Sequence, residues 1–279
     1  LLFPTFRAPC PTPYRLPPDV SSEEALDYYV DRAEAVLAEH HERIAAFVVE
    51  PLIQGAAGII VHPSGYLRRI RELTRKYDVL LIADEVAVGM GRTGTLFACD
   101  QEDVSPDLLC MAKGLTGGYL PLAATLATDE IHQAFLGEFA EQKTFFHGHT
   151  YGGNPLGAAV AIATLDVFEE ERTLEHLPAK EARLNEHLAR IAELPHVGDV
   201  RGRGLMAGVE LVRDRDSKES FPLGEKRGYR ACDFAMQHGV RLRPLGDVVV
   251  IMPPLSVSME ELDRICEAVE IGIRKATET

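Results

Sequence analysis

Two short apolar runs on either side of an amphipathic helix constrain the fold of this chain more than any other feature. The runs are residues 44–49 (IAAFVV) and residues 79–83 (VLLIA). Between them, residues 64–77 place apolar side chains at helical spacing. Short β-branched runs that stay apolar throughout are typical of parallel strands buried on both faces. The pattern predicts a strand–helix–strand unit and an α/β fold with a mostly parallel sheet.

Further elements flank this unit. Ser21 and Glu24 form a capping-box signature before a predicted helix of about twenty residues. Residues 108–111 and 122–128 are strand-like, and Asn154, followed by a proline, opens another helix. Apolar residues continue the helical spacing along it, at Leu156, Ala159, Val160, Ala163 and Val167.

The composition of the sequence changes near residue 174, after which charged residues are more frequent. A charged helix is followed by predicted strands within 197–211, a helix near 224–237, β-runs at 240–243 and 248–252, and a last helix from Ser258. We therefore expect a large domain over residues 1–170. A smaller C-terminal α/β domain with its linking helix is expected over residues 171–279.

Charge and cysteine content exclude several classes of protein. The chain has 279 residues and a formal net charge of −14, which argues against binding to nucleic acid or to anionic membrane surfaces. No apolar run approaches the roughly 18 residues of a membrane span, and no secretory signal pattern is found. The five cysteines are far apart and form no CxxC pair, which favours reduced thiols and a cytoplasmic location.

Two polar residues follow predicted strands at the positions where α/β proteins bind ligands. Asp84 ends one apolar run, and Lys113 ends another (LLCMAK) before a glycine-rich turn. Taken alone, Asp84 is better explained as a cap for the next turn, and Lys113 can also be explained as a surface lysine. Together they suggest pyridoxal 5'-phosphate, because an amine can bond to the cofactor aldehyde while a carboxylate keeps the pyridine nitrogen protonated.

Four motifs, in their order and spacing, resemble the class III aminotransferases of fold type I. They are FVVEPLIQGAAGI, LLIADEVAVGMGRTG, DLLCMAKGLTGGYLPLAATL and HGHTYGGNPLGAA. The resemblance covers essentially the whole chain. It implies a pyridoxal-phosphate transferase fold, with an incomplete large domain whose sheet is mostly parallel and a smaller C-terminal domain.

The resemblance implies a role for each matching residue. Lys113 corresponds to the lysine that forms a Schiff base with the cofactor and shuttles the proton, and Asp84 to the partner of the pyridinium nitrogen. Thr150 corresponds to a threonine that reaches the cofactor phosphate across a dimer interface, although it also reads as a simple turn residue. Arg243 matches an arginine that grips the substrate carboxylate, for which a guanidinium suits bidentate pairing. Gly148 is placed in the same substrate site.

Three more residues lie in motifs that line the site. Glu50 and Arg92 are expected to orient and support it without a chemical step, and Gln54 is grouped with them. His147 and His149 suggest a metal only if a third ligand joins them, and a loop role is favoured. No metal is expected.

The chain departs from the family pattern in two ways. Val88 and Met90 stand where threonine and phenylalanine are usual, which are changes of packing near the cofactor. More importantly, no glycine-serine or glycine-threonine phosphate cradle and no ring-stacking aromatic precede Asp84. The chain also opens on an apolar LLF followed by a proline-rich stretch. We therefore expect it to be the C-terminal part of the enzyme.

The proline-rich opening, KGLTGGYLPLAATL and VRLRPLGDVVVIMPPLSVS are most similar to the branch of the family that serves biotin synthesis. This implies amination of 8-amino-7-oxononanoate to 7,8-diaminononanoate, with S-adenosylmethionine or lysine as amino donor, in a homodimer with shared active sites. Two alternatives stay open. One is an ω-aminotransferase acting on diamines, β-alanine, taurine or 4-aminobutyrate. The other is an inactive fragment or dimerisation module.

Overall fold

A computed structural model describes residues 4–148 and 150–278 of the chain. Its helices are α1 (Ala25–His40), α2 (Tyr66–Lys76), α3 (Asp129–Ala134), α4 (Pro155–Glu170), α5 (Thr173–Ala192), α6 (Arg227–Gln237) and α7 (Met259–Thr277). Its strands are β1 (Ala46–Val49), β2 (Ile53–Gln54), β3 (Ile60–Val61), β4 (Leu80–Asp84), β5 (Leu108–Met111), β6 (Ala124–Ala127), β7 (Val197–Arg203), β8 (Met206–Leu211), β9 (Arg243–Leu245) and β10 (Val248–Ile251). Among the described residues, no helix combines the length and apolarity needed to cross a bilayer.

The predicted strand–helix–strand unit is present as β1, α2 and β4. The two strands are parallel and pair Phe47 with Leu81 and Val49 with Ala83. Helix α2 buries the inward face that its spacing indicates, including Leu67, Ile70 and Leu73. Strand β5 continues the sheet in parallel and β6 closes it in antiparallel order, which gives β1–β4–β5–β6. The expectation of a mostly parallel sheet is confirmed.

Strand β1 departs from the prediction that it is buried on both faces. Val48 is 61% exposed, whereas Val49 is buried. In the described part of the chain, β1 lies at the edge of its sheet, and Val48 lines an open cavity beside that edge. An apolar run indicates that a strand can be covered on both sides, but the covering element must come from elsewhere.

Helix α4 begins where Asn154 and its proline indicate, and the Asn154 side chain accepts a hydrogen bond from the Leu156 amide at 3.1 Å. Leu156 is 68% exposed, and Gly157 and Ala161 are the buried positions. The helix is apolar on nearly all sides, so spacing could not select a face, and the small residues pack where the backbone must come close to Leu122.

The C-terminal residues form a second sheet, in the order β7–β8–β10–β9 with antiparallel pairing. Its core joins side chains from β8 and β10 to α5, α6 and α7. The β-run expected at 240–243 is instead β9, which begins at Arg243. Ser258 caps α7 through the Glu261 amide, as predicted for a helix start. The domain boundary after residue 170 stays a prediction.

A buried histidine joins α5 to α7. Arg190 on α5 lies 2.5 Å from His187 Nδ1, and because a guanidinium only donates, that nitrogen is the acceptor. His187 Nε2 therefore carries the hydrogen and donates to Asp263 on α7 at 2.6 Å. Arg183 donates to both Asp263 carboxylate oxygens. Hydrogen bonds from Arg183 and then His187 hold the pKa of Asp263 well below its ordinary value.

This lowered pKa predicts a pH-dependent contribution to stability. A carboxyl whose pKa is lower in the folded state stabilises the fold above its unfolded pKa of about 3.9, and the contribution is lost as the pH falls below it. Asp263→Asn is expected to lower the melting temperature by about 3 °C at pH 7. The difference from wild type should shrink below about pH 4.

Thermal melts of both proteins across pH 3–8 test this. Glu186→Gln is the matched control, because Glu186 also binds Arg183 but is more exposed. A stability difference between wild type and Asp263→Asn that stays constant down to pH 3 would contradict the interpretation.

Candidate active site

Three polar side chains lie at the carboxyl ends of three neighbouring strands. Glu50 follows β1, Asp84 ends β4, and Lys113 lies two positions beyond β5. Parallel pairing places Val49 beside Ala83 and Asp84 beside Cys110, so the three residues share one edge of the sheet. This is the edge at which α/β sheets bind ligands.

Asp84 is held by the turn that follows it. Its Oδ1 accepts the amide hydrogen of Val86 at 3.1 Å. The neighbouring Glu85 is buried and accepts the amides of Ala98 and Cys99 at 2.9 and 2.8 Å. Glu85 thus ties the end of β4 to a later 3₁₀ turn, and Asp84 is left free to face the edge of the sheet.

Lys113 stands in a strained backbone conformation. Its φ is +44°, in the left-handed region that non-glycine residues rarely adopt, at a cost of about 1–2 kcal/mol. Such strain is concentrated at functional sites, where the surrounding structure enforces it. The next residue, Gly114, packs directly on Met90, one of the positions that departs from the family pattern.

Gly114 has no room for a side chain. A Cβ built there would lie 2.6 Å from Met90 Cβ, which is fixed to its own backbone and cannot rotate away. Gly114→Ala is therefore expected to cost about 1–3 kcal/mol of stability and to displace Lys113. Melting temperature and affinity for pyridoxal phosphate measure the two effects. Gly224→Ala, at an open position, is the control. Unchanged cofactor affinity in Gly114→Ala would contradict the prediction.

The charges of Asp84 and Lys113 both act on the Glu50 carboxyl. Burial raises the pKa of the Glu50 carboxyl. A hydrogen bond from the Gly55 amide at 2.9 Å opposes this rise. The negative charge of Asp84 raises the pKa further and the positive charge of Lys113 lowers it. The structure therefore brings Glu50, Asp84 and Lys113 into one electrostatic group.

Arg92 links the segment after β4 to the C-terminal part of the chain. Its Nη1 donates to the carbonyl oxygens of Leu205 at 3.0 Å and Pro253 at 2.6 Å. Burial lowers its pKa to about 10. These contacts fasten the GRTG turn to the second sheet, and the supporting role of Arg92 stays a prediction.

Gly148 and Thr150 are exposed, and Arg243 is exposed at the start of β9. The substrate and cofactor roles of these three residues stay predictions. His147 packs on the ring of Phe145, and His149 lies outside the described residues. Among the residues described, no group of three His, Cys, Asp or Glu side chains is arranged for a metal.

An open cavity of about 1090 Å³ lies beside the free edge of β1. Its wall includes Glu50, Gln54 and Asp84, together with two residues that the sequence did not single out, Cys10 and His62. Cys10 comes from the proline-rich opening, which has no periodicity, and His62 from the turn after β3. The only sequence signal for these two residues is their chemical type, since a thiol and an imidazole can take part in binding.

The chain is similar to known proteins over nearly its whole length. The family model described as aminotransferase class III matches residues 2–272. The adenosylmethionine-8-amino-7-oxononanoate aminotransferase of Geobacter sulfurreducens is 52% identical over 278 residues, which are 99% of this chain and 61% of that protein. The chain thus spans about three fifths of the length of this relative.

Solved structures show the same relation. The crystal structure of adenosylmethionine-8-amino-7-oxononanoate aminotransferase from Methanocaldococcus jannaschii aligns with a TM-score of 0.86 at 45% identity, over 88% of this chain and 57% of that one. An (S)-enantioselective ω-transaminase from Thermomicrobium roseum aligns with a TM-score of 0.89 at 41% identity, over 96% and 59%. The chain belongs to the class III aminotransferase family.

The family implies pyridoxal 5'-phosphate as cofactor, and the residues present fit it. Lys113 offers an amine for the cofactor aldehyde, and Asp84, one strand away, offers a carboxylate for the pyridine nitrogen. The left-handed backbone of Lys113 sets the direction of its side chain, and the close packing of Gly114 on Met90 holds that backbone in place. Thr150, the predicted donor to the cofactor phosphate, is exposed, and its role across a dimer interface stays a prediction.

Proposed function

We propose that the complete natural protein transfers an amino group to 8-amino-7-oxononanoate, forming 7,8-diaminononanoate for biotin synthesis. The observation that carries the reaction type is the placement of Lys113, Asp84 and Glu50 at three adjacent strand ends. The substrate follows from the names of relatives that are about half identical to this chain. S-adenosylmethionine or lysine is the proposed amino donor.

When bound, pyridoxal phosphate supplies an electron sink for the α-carbon of the donor. Lys113 would hold the cofactor and move the proton from that α-carbon. The Asp84 carboxylate would fix a positive charge at the pyridine nitrogen, and Glu50 and Arg92 would support the site. Arg243, whose exposed guanidinium can pair bidentately, would bind the substrate carboxylate beside Gly148.

The proposal includes a homodimer in which Thr150 serves the cofactor phosphate of the partner subunit. Exposed apolar side chains near Thr150 support it, because Phe146 is 80% exposed and Leu156 on α4 is also uncovered. Patches of this kind mark interfaces. We propose that a second copy covers this face. Light scattering of the complete protein tests the idea, and a monomer at micromolar concentration would contradict it.

A cytoplasmic location is part of the proposal. The five cysteines are all free thiols, as a reducing compartment maintains them. Small-molecule amines and keto acids are the proposed partners, without nucleic acid or membrane.

Turnover assays of the complete protein with pyridoxal phosphate test the substrate. Mass spectrometry should detect 7,8-diaminononanoate when 8-amino-7-oxononanoate is supplied with S-adenosylmethionine or lysine. Diamines, β-alanine, taurine and 4-aminobutyrate are the competing amines, because the chain also resembles an ω-transaminase. A higher kcat/KM with one of these would favour the alternative. Failure to bind the cofactor at all would favour an inactive module.

A further inference from the structure

The thiol of Cys10 contacts a side chain at the candidate site, 44 positions along the chain. Cys10 Sγ lies 2.6 Å from Gln54 Oε1. Cys10 belongs to the proline-rich opening, where residues 4–24, as far as the structure describes the segment, form no helix or strand, and Gln54 ends β2. Both residues line the cavity that Glu50 and Asp84 also line.

The chemistry of the pair fixes the direction of the hydrogen bond. An amide oxygen only accepts, so the thiol must donate. Burial, and then the negative charge of Glu50, raise the pKa of Cys10, which keeps the thiol protonated and able to donate. Because the amide group of Gln54 is planar, holding its oxygen on Cys10 turns its NH₂ group away from the thiol. Among the described residues, that NH₂ group has no hydrogen-bond partner.

A second residue of the same wall also lacks partners. His62 is buried and lines the cavity, yet neither ring nitrogen has a hydrogen-bond partner among the described residues. Burial lowers its pKa to about 4, so the ring is neutral near pH 7. Buried polar atoms without partners are rare, so a group other than the described residues is expected to complete these hydrogen bonds, and a ligand in the cavity is one such group.

We propose that Cys10 is a positioning residue, which holds the Gln54 amide so that its N–H groups donate to an acceptor atom of the bound cofactor. This rests on the proposed function. Without the thiol, the amide can turn its oxygen toward the cavity, where Glu50 and Asp84 already present negative charge. The site would then lose a donor and gain another acceptor.

Substitutions at Cys10 test the donor directly, in the complete protein. Cys10→Val keeps a similar volume and removes the donor, and it is expected to raise the Kd for pyridoxal phosphate about 3- to 10-fold. Cys10→Ser keeps a donor within hydrogen-bond distance and should remain within about twofold of wild type. Affinity is measured by titrating the apoenzyme with cofactor, which does not depend on turnover.

A control distinguishes two effects of Cys10, which are the orientation of the Gln54 amide and the attachment of the whole proline-rich segment to the rest of the chain. Arg15 anchors the same segment to the second sheet, through hydrogen bonds to Glu210 at 3.0 and 2.6 Å. Arg15→Ala should loosen the segment and leave cofactor affinity unchanged. An equal loss of affinity in Arg15→Ala would mean that Cys10 acts only by attaching the segment, and would overturn the proposal.

A double-mutant cycle keeps the test decisive if Cys10→Val is unstable. In a Gln54→Leu background, Cys10→Ser and Cys10→Ala should have the same cofactor affinity, because there is no amide left to orient. In the wild-type background they should differ about 3- to 10-fold. Equal affinities in both backgrounds would overturn the proposal. A wild-type protein that binds no pyridoxal phosphate would instead overturn the proposed function.

Discussion

Lys113→Ala in the complete natural protein is expected to reduce transamination by at least about 10³-fold, since proton transfer by a positioned side chain alone contributes about 10²–10⁴-fold. The variant removes both the amine that bonds to the cofactor and the group that moves the α-proton. The substitution leaves Gly114 in place, so the packing of Gly114 against Met90 is unchanged. The loss should therefore be chemical, with the fold retained.

Visible absorbance measures the bond between Lys113 and the cofactor, and single-turnover kinetics measure the transfer of the α-proton. Wild type should show the visible band of covalently bound pyridoxal phosphate, and Lys113→Ala should not. Lys113→Arg keeps the positive charge and should fail equally, because a guanidinium does not bond to the aldehyde. Lys76→Ala removes an exposed lysine that pairs with Glu34, and serves as the control. A visible band that persists in Lys113→Ala would rule out the assignment.

The sequence predicts those helices and strands whose packing and end caps depend on residues close by in the chain. Helix α2 buries Ile70 and Leu73 against the sheet that flanks it in sequence, so its spacing is sufficient. The start of α4 is likewise local, because Asn154 caps the helix that follows it. Both features depend on residues within one or two turns.

The features that the sequence did not predict depend on distant or absent neighbours. Strands β2 and β3 have only two residues each, too few for an alternating pattern. Val48 and Leu156 are apolar, but their exposure depends on what packs over them. Periodicity describes which faces can be buried and does not say what covers them.

The residues of the candidate site also fall into those that the sequence pattern predicts and those that it does not. Asp84 and Lys113 could be predicted from their position after apolar runs, because parallel strand ends meet at one edge of a sheet. Thr150 and Arg243 rested on the resemblance alone; both are exposed in the structure, and their roles stay predictions. The Cys10–Gln54 contact joins an aperiodic segment to a two-residue strand, and no sequence pattern could indicate it.

Asp84→Asn is expected to lower turnover about 10²- to 10³-fold, the scale of losing one preorganised electrostatic group in a closed site. Asparagine keeps an oxygen that can accept the Val86 amide, so the turn after β4 should be retained. What changes is the charge, because a neutral amide does not hold a proton on the pyridine nitrogen. Asp27→Asn, which removes an exposed carboxylate from α1, is the control.

The same substitution makes a second prediction that does not depend on turnover. The negative charge of Asp84 raises the pKa of Glu50, so Asp84→Asn should lower that pKa. Burial is the larger cause and stays in place, so the pKa should fall only part of the way and remain above its ordinary value. An NMR titration of ¹³C-labelled glutamate, with Glu50→Gln to assign the signal, measures the shift. An unchanged Glu50 pKa together with near-normal turnover would show that Asp84 is not the charged group at this edge of the sheet.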